Sequence, residues 1–141
     1  MQFKFFPLAF FTVICAVIFA GCATKGPAQL TCADQKGEGA AARVVTTCAQ
    51  VRWNALLKHD VAVAYEFISP GGRSLMSLSQ FSSRINSGSW RGAKVDNASC
   101  AAETCEVTVM VDIVVSGVKA AIPVKETWIL DAGRWWFVFQ G

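Results

Sequence analysis

Two hydrophobic rhythms divide the chain. From Ala40 the apolar positions recur at helical steps through Val44, Cys48, Val51 and Ala55, and Trp53, Leu56 and Leu57 widen the stripe. That spacing lines up one side of an α-helix. His59-Asp60 ends the helix, and Asp60 can cap a second one running from Val61 to about Phe67. Ser69-Pro70-Gly71-Gly72 reads as a turn. Ser77 or Ser79 can cap a short third helix through Phe81, Arg84 and Ile85. After Gly88 the period becomes two, which predicts strands at about 90–99, 104–116, 118–131 and 134–140. In the second strand Val107, Val109, Val111, Ile113 and Val115 share one face, opposite Glu106, Thr108, Met110 and Asp112. Ser116-Gly117 and Asp131-Ala132-Gly133 are hairpin turns. Pro123 has no amide N–H to give a ladder and predicts an edge or a bulge in the third strand. Helices followed by a meander with one apolar face give an α+β class, with N-terminal helices packed on an antiparallel sheet of four or more strands.

The N-terminal segment has a different pattern. Lys4 precedes an apolar run from Pro7 to Ala20, and the run closes on Ile18-Phe19-Ala20-Gly21-Cys22. At about 14 residues it is shorter than the ~20 a membrane span needs. Small residues at 20 and 21 followed by cysteine read as a lipobox, so residues 1–21 are expected to be a signal peptide and Cys22 the lipidated residue. Phe19 stands where such sites more often carry leucine. Multiple acyl chains hold a protein stably at a membrane. Ala23, rather than aspartate, after the cysteine favours the outer membrane facing the periplasm. Residues 22–39, with Gly26-Pro27 and Gly37-Glu38-Gly39, read as a flexible tether, and 40–141 as the folded domain.

Composition narrows the field. The 13 basic and 10 acidic residues show no dense Lys/Arg run, so no nucleic-acid footprint is present. Removing Cys15 with the signal and Cys22 to lipid leaves Cys32, Cys48, Cys100 and Cys105. An even number in an exported domain points to disulfides. Cys100 and Cys105 flank a four-residue hairpin loop, which favours that pair and leaves Cys32 with Cys48. Cys48 and His59 lie about 16 Å apart on one helix, too far for a Cys–His nucleophile. No metal site, cofactor motif or nucleotide-binding loop is expected.

Several blocks in order resemble the NTF2-like superfamily, in particular its bacterial lipoproteins. They are Arg52-Trp53-x-Ala55-Leu56 leading to Asp60, Ala64-Tyr65-x-Phe67, Ser69-Pro70-Gly71-x-Arg73, Glu126-x-Trp128, and Asp131-x-Gly133-Arg134-Trp135-Trp136-Phe137-Val138. The resemblance covers about residues 40 to 141 and implies a curved sheet wrapped around helices into a cone, often with a pocket in its mouth. It implies no single activity, since the superfamily holds isomerase-like and cyclase-like enzymes, transport factors and domains without a reaction.

Glu126 is the candidate site residue. The period-two count turns it inward with Val124 and Trp128, where a carboxylate is costly unless paired or wet. One reading is a pocket lined by Tyr65, Glu126 and Trp128, with Glu126 as acid or base. The other is a salt bridge to Arg52 or Arg84 that fixes a helix on the sheet, and a strand slip would turn Glu126 outward. No catalytic residue is assigned. On the opposite face Met110, Val114, Ile129 and part of Trp135-Trp136-Phe137 suggest an apolar patch for a homodimer or an envelope protein. The expected function is a lipid-anchored envelope protein with a non-enzymatic small-ligand-binding or accessory domain. The alternatives are a pocket enzyme using Glu126 and an assembly partner docking through the outer sheet face.

Overall fold

The computed structural model describes residues 32–37, 39–85 and 88–140. The lipobox, the signal peptide and Cys22 lie outside them. Four helices come first: α1 (Ala40–Leu57), α2 (Val61–Tyr65), α3 (Pro70–Leu75) and α4 (Leu78–Arg84). Four strands follow: β1 (Trp90–Ala101), β2 (Thr104–Val115), β3 (Val118–Asp131) and β4 (Arg134–Val138). They form one open antiparallel sheet in the order β1-β2-β3-β4. The α+β class therefore holds.

Local chemistry sets the helix boundaries. α1 ends where His59 takes a left-handed φ of 60°. The Asp60 carboxylate then accepts from the Val63 N–H at 3.2 Å and opens α2. Ser77 and Gln80 form a reciprocal capping box on α4. The segment expected as a turn at Ser69-Pro70-Gly71-Gly72 is instead the start of α3. Ser69 caps it by accepting from Gly72 N–H at 3.1 Å, and Pro70 sits in the first turn, where its missing N–H is no loss.

The core lies between α1 and the inner face of the sheet. Val45, Cys48, Ala49 and Leu56 meet Val107, Val109, Val111 and Trp128 there, all buried. The Gln50 side chain adds a polar clasp: it donates to Ala93 O at 2.9 Å and accepts from Val95 N–H at 3.0 Å. The inward face of β2 does not stay buried to its end. Ile113 is half-buried and Val115 is 54% exposed, because the β2–β3 hairpin extends past the helices.

Both expected disulfides form. Cys100 and Cys105 face each other across the β1–β2 hairpin, and Cys32 joins Cys48. Part of the expected tether is therefore docked. Trp135 N–H donates to Cys32 O at 2.8 Å and Asp34 N–H to Gly133 O at 2.9 Å, so this segment covers the outer edge of β4. Phe137 N–H donates to Phe67 O at 2.8 Å and extends that cover. Pro123 pairs with Met110 without a bulge, and β4 reaches back only to Thr127, so Pro123 lies where β3 is an edge strand.

The outer face differs from the expected alternation. Trp135, Trp136 and Phe137 are all buried. Trp136 points away from the core, but Arg134 stacks on its ring at 4.2 Å and Arg73 lies 5.7 Å from the centroid. Two arginine planes thus roof an indole that the strand pattern would leave in water.

Candidate functional site

Glu126 turns inward and is only 4% exposed. Three donors converge on it. Arg52 Nη1 lies 2.5 Å from Oε1. Trp53 Nε1 donates to the same oxygen at 2.6 Å, and Trp128 Nε1 donates to Oε2 at 3.1 Å. The local sequence explains the convergence. Arg52 and Trp53 are consecutive on α1, so their side chains leave the helix about 100° apart and straddle the strand beneath. Trp128 is two residues beyond Glu126 on the same face of β3, and its indole reaches back along the strand.

Arg52 is as deeply buried as its partner, at 3% exposed. Burial pushes its guanidinium below the ordinary value, and the adjacent carboxylate of Glu126 pulls it back up. An arginine remains charged through such a shift. Its guanidinium also lies 3.6 Å over the Phe137 ring. The Arg52 Nε–H has no hydrogen-bond partner. The pair thus closes the salt-bridge reading of Glu126 in favour of Arg52, while Arg84 stays exposed.

An open cleft of about 680 Å³ lies over this pair. Arg52, Trp53, Leu56, Glu126 and Phe137 are its buried floor. Trp90, Ile85, Val124, Ile122 and Phe139 make apolar walls, and Trp90 packs on Trp53 with ring centroids 5.1 Å apart. Arg84, Lys125 and Gln140 are exposed at its rim.

Of the three residues expected to line a pocket, Glu126 does so. Trp128 is fully buried beneath it and acts on the site through its hydrogen bond to Glu126. Tyr65 does not line the cleft. Its hydroxyl donates to Met76 O at 2.7 Å and its ring packs on Phe81, which ties α2 to the α3–α4 segment. Sequence reasoning placed Trp53 and Phe137 only as apolar residues and gave Trp90 and Lys125 no role. The available signal was Arg52, a charge inside an otherwise apolar helix stripe.

The chemistry on offer is limited. Glu126 already accepts three hydrogen bonds, one from a cation, against roughly four acceptor positions on a carboxylate. A group so occupied is poorly placed to take a substrate proton. Asp112, the carboxylate on the polar face of β2 nearest its hairpin end, is exposed on the outer face beside Gly92. The four cysteines among the described residues are consumed in disulfides and offer neither thiolate nor metal ligand. Among the described residues no group of three or more His, Cys, Asp or Glu side chains is placed to hold a metal. No helix among them is long and apolar enough to cross a membrane. Met110, Val114 and Ile129 are half-buried, and the large apolar residues that are exposed lie elsewhere, with Val115, Val118 and Ile122 on the β2–β3 hairpin.

No family model matches the chain, and no curated protein matches it. Among solved structures it is similar to the solution structure of a SEC-C motif containing protein from Rhodopseudomonas palustris. The two share 17% identity over 61% of this chain and 68% of the other, with a TM-score of 0.49. A likeness of that size says nothing of activity. The family expectation is corrected all the same: the NTF2-like assignment read from the Arg52, Glu126 and Trp135 blocks finds no matching family model. Those blocks build one buried cluster: Arg52, Trp53 and Trp128 all donate to Glu126, and Arg52 and Trp128 both pack on Phe137. Packing of that kind is available to any family.

Proposed function

We propose that this protein is a lipid-anchored component of the cell envelope whose domain binds a small apolar ligand without transforming it. The observation that carries the reading is the cleft of about 680 Å³, walled by aromatic and aliphatic side chains and floored by the Arg52–Glu126 pair. Ligand sites typically enclose about 300–1,000 Å³ of mostly apolar surface around a few fixed polar groups. Binding is favoured over catalysis because Glu126, the inward carboxylate, is committed to Arg52, Trp53 and Trp128. Attachment through Cys22 and residence at the periplasmic face of the outer membrane rest on the lipobox and on Ala23.

Native mass spectrometry tests the binding half. The full chain carrying Cys22→Ser is exported and purified gently. The expected result is a reproducible non-covalent adduct that is lost in Val124→Trp, which fills the cleft from its wall. A bare protein, or an adduct indifferent to the filled cleft, refutes it. Metabolic labelling with palmitate tests the anchor: label and membrane fractionation should both disappear with Cys22→Ser, and retention of either refutes lipidation there.

A further inference from the structure

The sheet has three stretches of edge, and two of them are closed. Along β4 the Trp135 and Phe137 N–H groups are taken by Cys32 and Phe67. Along β1 the Gln50 side chain takes Ala93 O and Val95 N–H, and register breaks between Trp90 and Gly92 and between Val95 and Asn97 interrupt the strand. The third stretch is the first part of β3. It stays in unbroken register with β2 from Val118 to Ile129, whereas β4 pairs with it only from Thr127 onward. Residues 118–126 are thus a regular edge strand, and among the described residues no backbone hydrogen bond from outside the β2–β3 ladder reaches them. Leu130 N–H donates to Glu103 O, on the β2 side. Backbone groups alternate sides along a strand, so the odd-numbered residues face the open edge. Lys119, Ala121 and Lys125 each present an N–H and a C=O there, and Pro123 a C=O alone. The side chains beside this edge have two characters. Ile122 and Val124 line the cleft, with Trp90 and Phe139 as further walls. Lys119 and Lys125 lie on the outer face, exposed and in no salt bridge. Glu106 and Asp112, the carboxylates on that face of β2, stand opposite Thr127 and Ala121, behind the edge and not across it.

We propose that the free edge of β3 takes an extended acidic peptide as an added strand, on the line that β4 leaves at Val138. Its backbone bonds Lys119, Ala121, Pro123 and Lys125, its inward residues are apolar and enter the cleft beside Ile122 and Val124, and its acidic residues stand opposite Lys119 and Lys125. A second copy of this chain fits less well. Pairing two β3 edges about Ile122 sets Lys119 against Lys125 at both ends, and like charges directly opposite destabilise a ladder. Pairing them about Ala121 sets Lys119 against Pro123, which has no N–H to give. The same lysines and proline guard the edge against indiscriminate pairing, and a partner of opposite charge meets no such obstacle. The inference goes beyond the small-ligand reading, because it stands on the strand edge and not on the cleft alone.

The test titrates the peptide Asp-Val-Thr-Ile-Thr-Val-Asp, blocked at both ends and identical read in either direction, into the full chain carrying Cys22→Ser. Tryptophan fluorescence reports affinity, since Trp53 and Trp90 line the cleft. Amide hydrogen exchange reports the edge: the Lys119, Ala121 and Lys125 amides should slow on binding. Replacing both Asp residues of the peptide with Ser should weaken binding about five-fold, the sum of two exposed ion pairs. Methylating both Thr nitrogens, which face the edge, should weaken it about thirty-fold. In Lys119→Glu/Lys125→Glu, which alters only exposed side chains, the preference should reverse toward a Lys-ended peptide. No binding, equal affinity for the Asp-ended and Ser-ended peptides, indifference to N-methylation, or a preference that survives the charge reversal overturns the proposal. Edge amides already slow in the free protein also overturn it, in favour of a second copy on the edge. Failure of the peptide alongside a native adduct lost in Val124→Trp overturns this inference alone, whereas a bare protein that does bind the peptide overturns only the small-ligand reading.

Discussion

Replacing Arg52 with methionine should cost more stability than any surface change in this molecule. Methionine keeps the length and apolar stem of arginine but removes the cation. Glu126 then remains 4% exposed with only the two indole N–H donors of Trp53 and Trp128. Stranding one member of a buried ion pair costs about 3–5 kcal/mol. Loss of the stacking on Phe137, at 3.6 Å, adds up to about 2 kcal/mol, part of which the methionine's own packing returns. A net loss of about 4 kcal/mol is a large share of the roughly 5–15 kcal/mol that holds a domain folded. Urea unfolding under non-reducing conditions measures it. With a slope of about 2 kcal/mol per molar, the midpoint should fall by about 2 M at unchanged slope. The diagnostic variant is Arg52→Met/Glu126→Gln. Glutamine removes the stranded charge, and its carbonyl oxygen still accepts from an indole. The double variant should therefore be more stable than Arg52→Met alone by about 2 kcal/mol. If Arg52→Met loses less than about 1 kcal/mol, or if the second change deepens the loss, the argument that the pair is mutually obligatory is refuted.

Other perturbations probe separate parts of the fold. Cys32→Ser/Cys48→Ser opens a bridge spanning 16 residues and should cost about 3 kcal/mol, read as a lower urea midpoint. Gln50→Ala removes the clasp on Ala93 and Val95. Hydrogen exchange should accelerate at the Val95 amide before it changes in β2, and stability should drop by about 1–3 kcal/mol. Gly72→Ala places a methyl carbon 2.7 Å from Ile68 Cγ2, on a side chain that is 1% exposed. A thermal shift should record a loss of about 1–3 kcal/mol, despite the gain in helix propensity.

Some of this architecture was written in local patterns. The alternation from Val107 to Val111 and the helical stripe from Val44 to Leu56 each report a face directed at one core, and apart from the half-buried Val51 the residues they mark are buried. Glu126 stood out for the same reason, as a charge in phase with an apolar face. What local pattern lacks is the partner across the fold. Arg52 lies 74 residues away from Glu126, and the choice between Arg52 and Arg84 depends on how far α1 slides along the sheet. Trp136 misled for a similar reason. Its strand phase correctly turns it outward, but its burial comes from Arg73 and Arg134, and long side chains leave no periodic trace. At Pro70-Gly71-Gly72 the residues typical of turns concealed a helix whose cap, Ser69, outweighed two glycines. The five-block likeness to a family failed as identification because tryptophan and arginine clustered around a buried acid is a packing solution.

The bridge between Cys32 and Cys48, with the β4 cover beside it, also sets the mechanics of attachment. With a lipid on Cys22, as proposed above, ten peptide links would separate the anchor from Cys32, where the chain is stapled to α1. Ten residues at full extension reach about 35 Å. On that proposal the domain would be on a short leash, within about 35 Å of its anchor. A pull on such an anchor would be delivered through a covalent bond to the middle of α1, so tension would load the core without peeling the segment off β4 residue by residue.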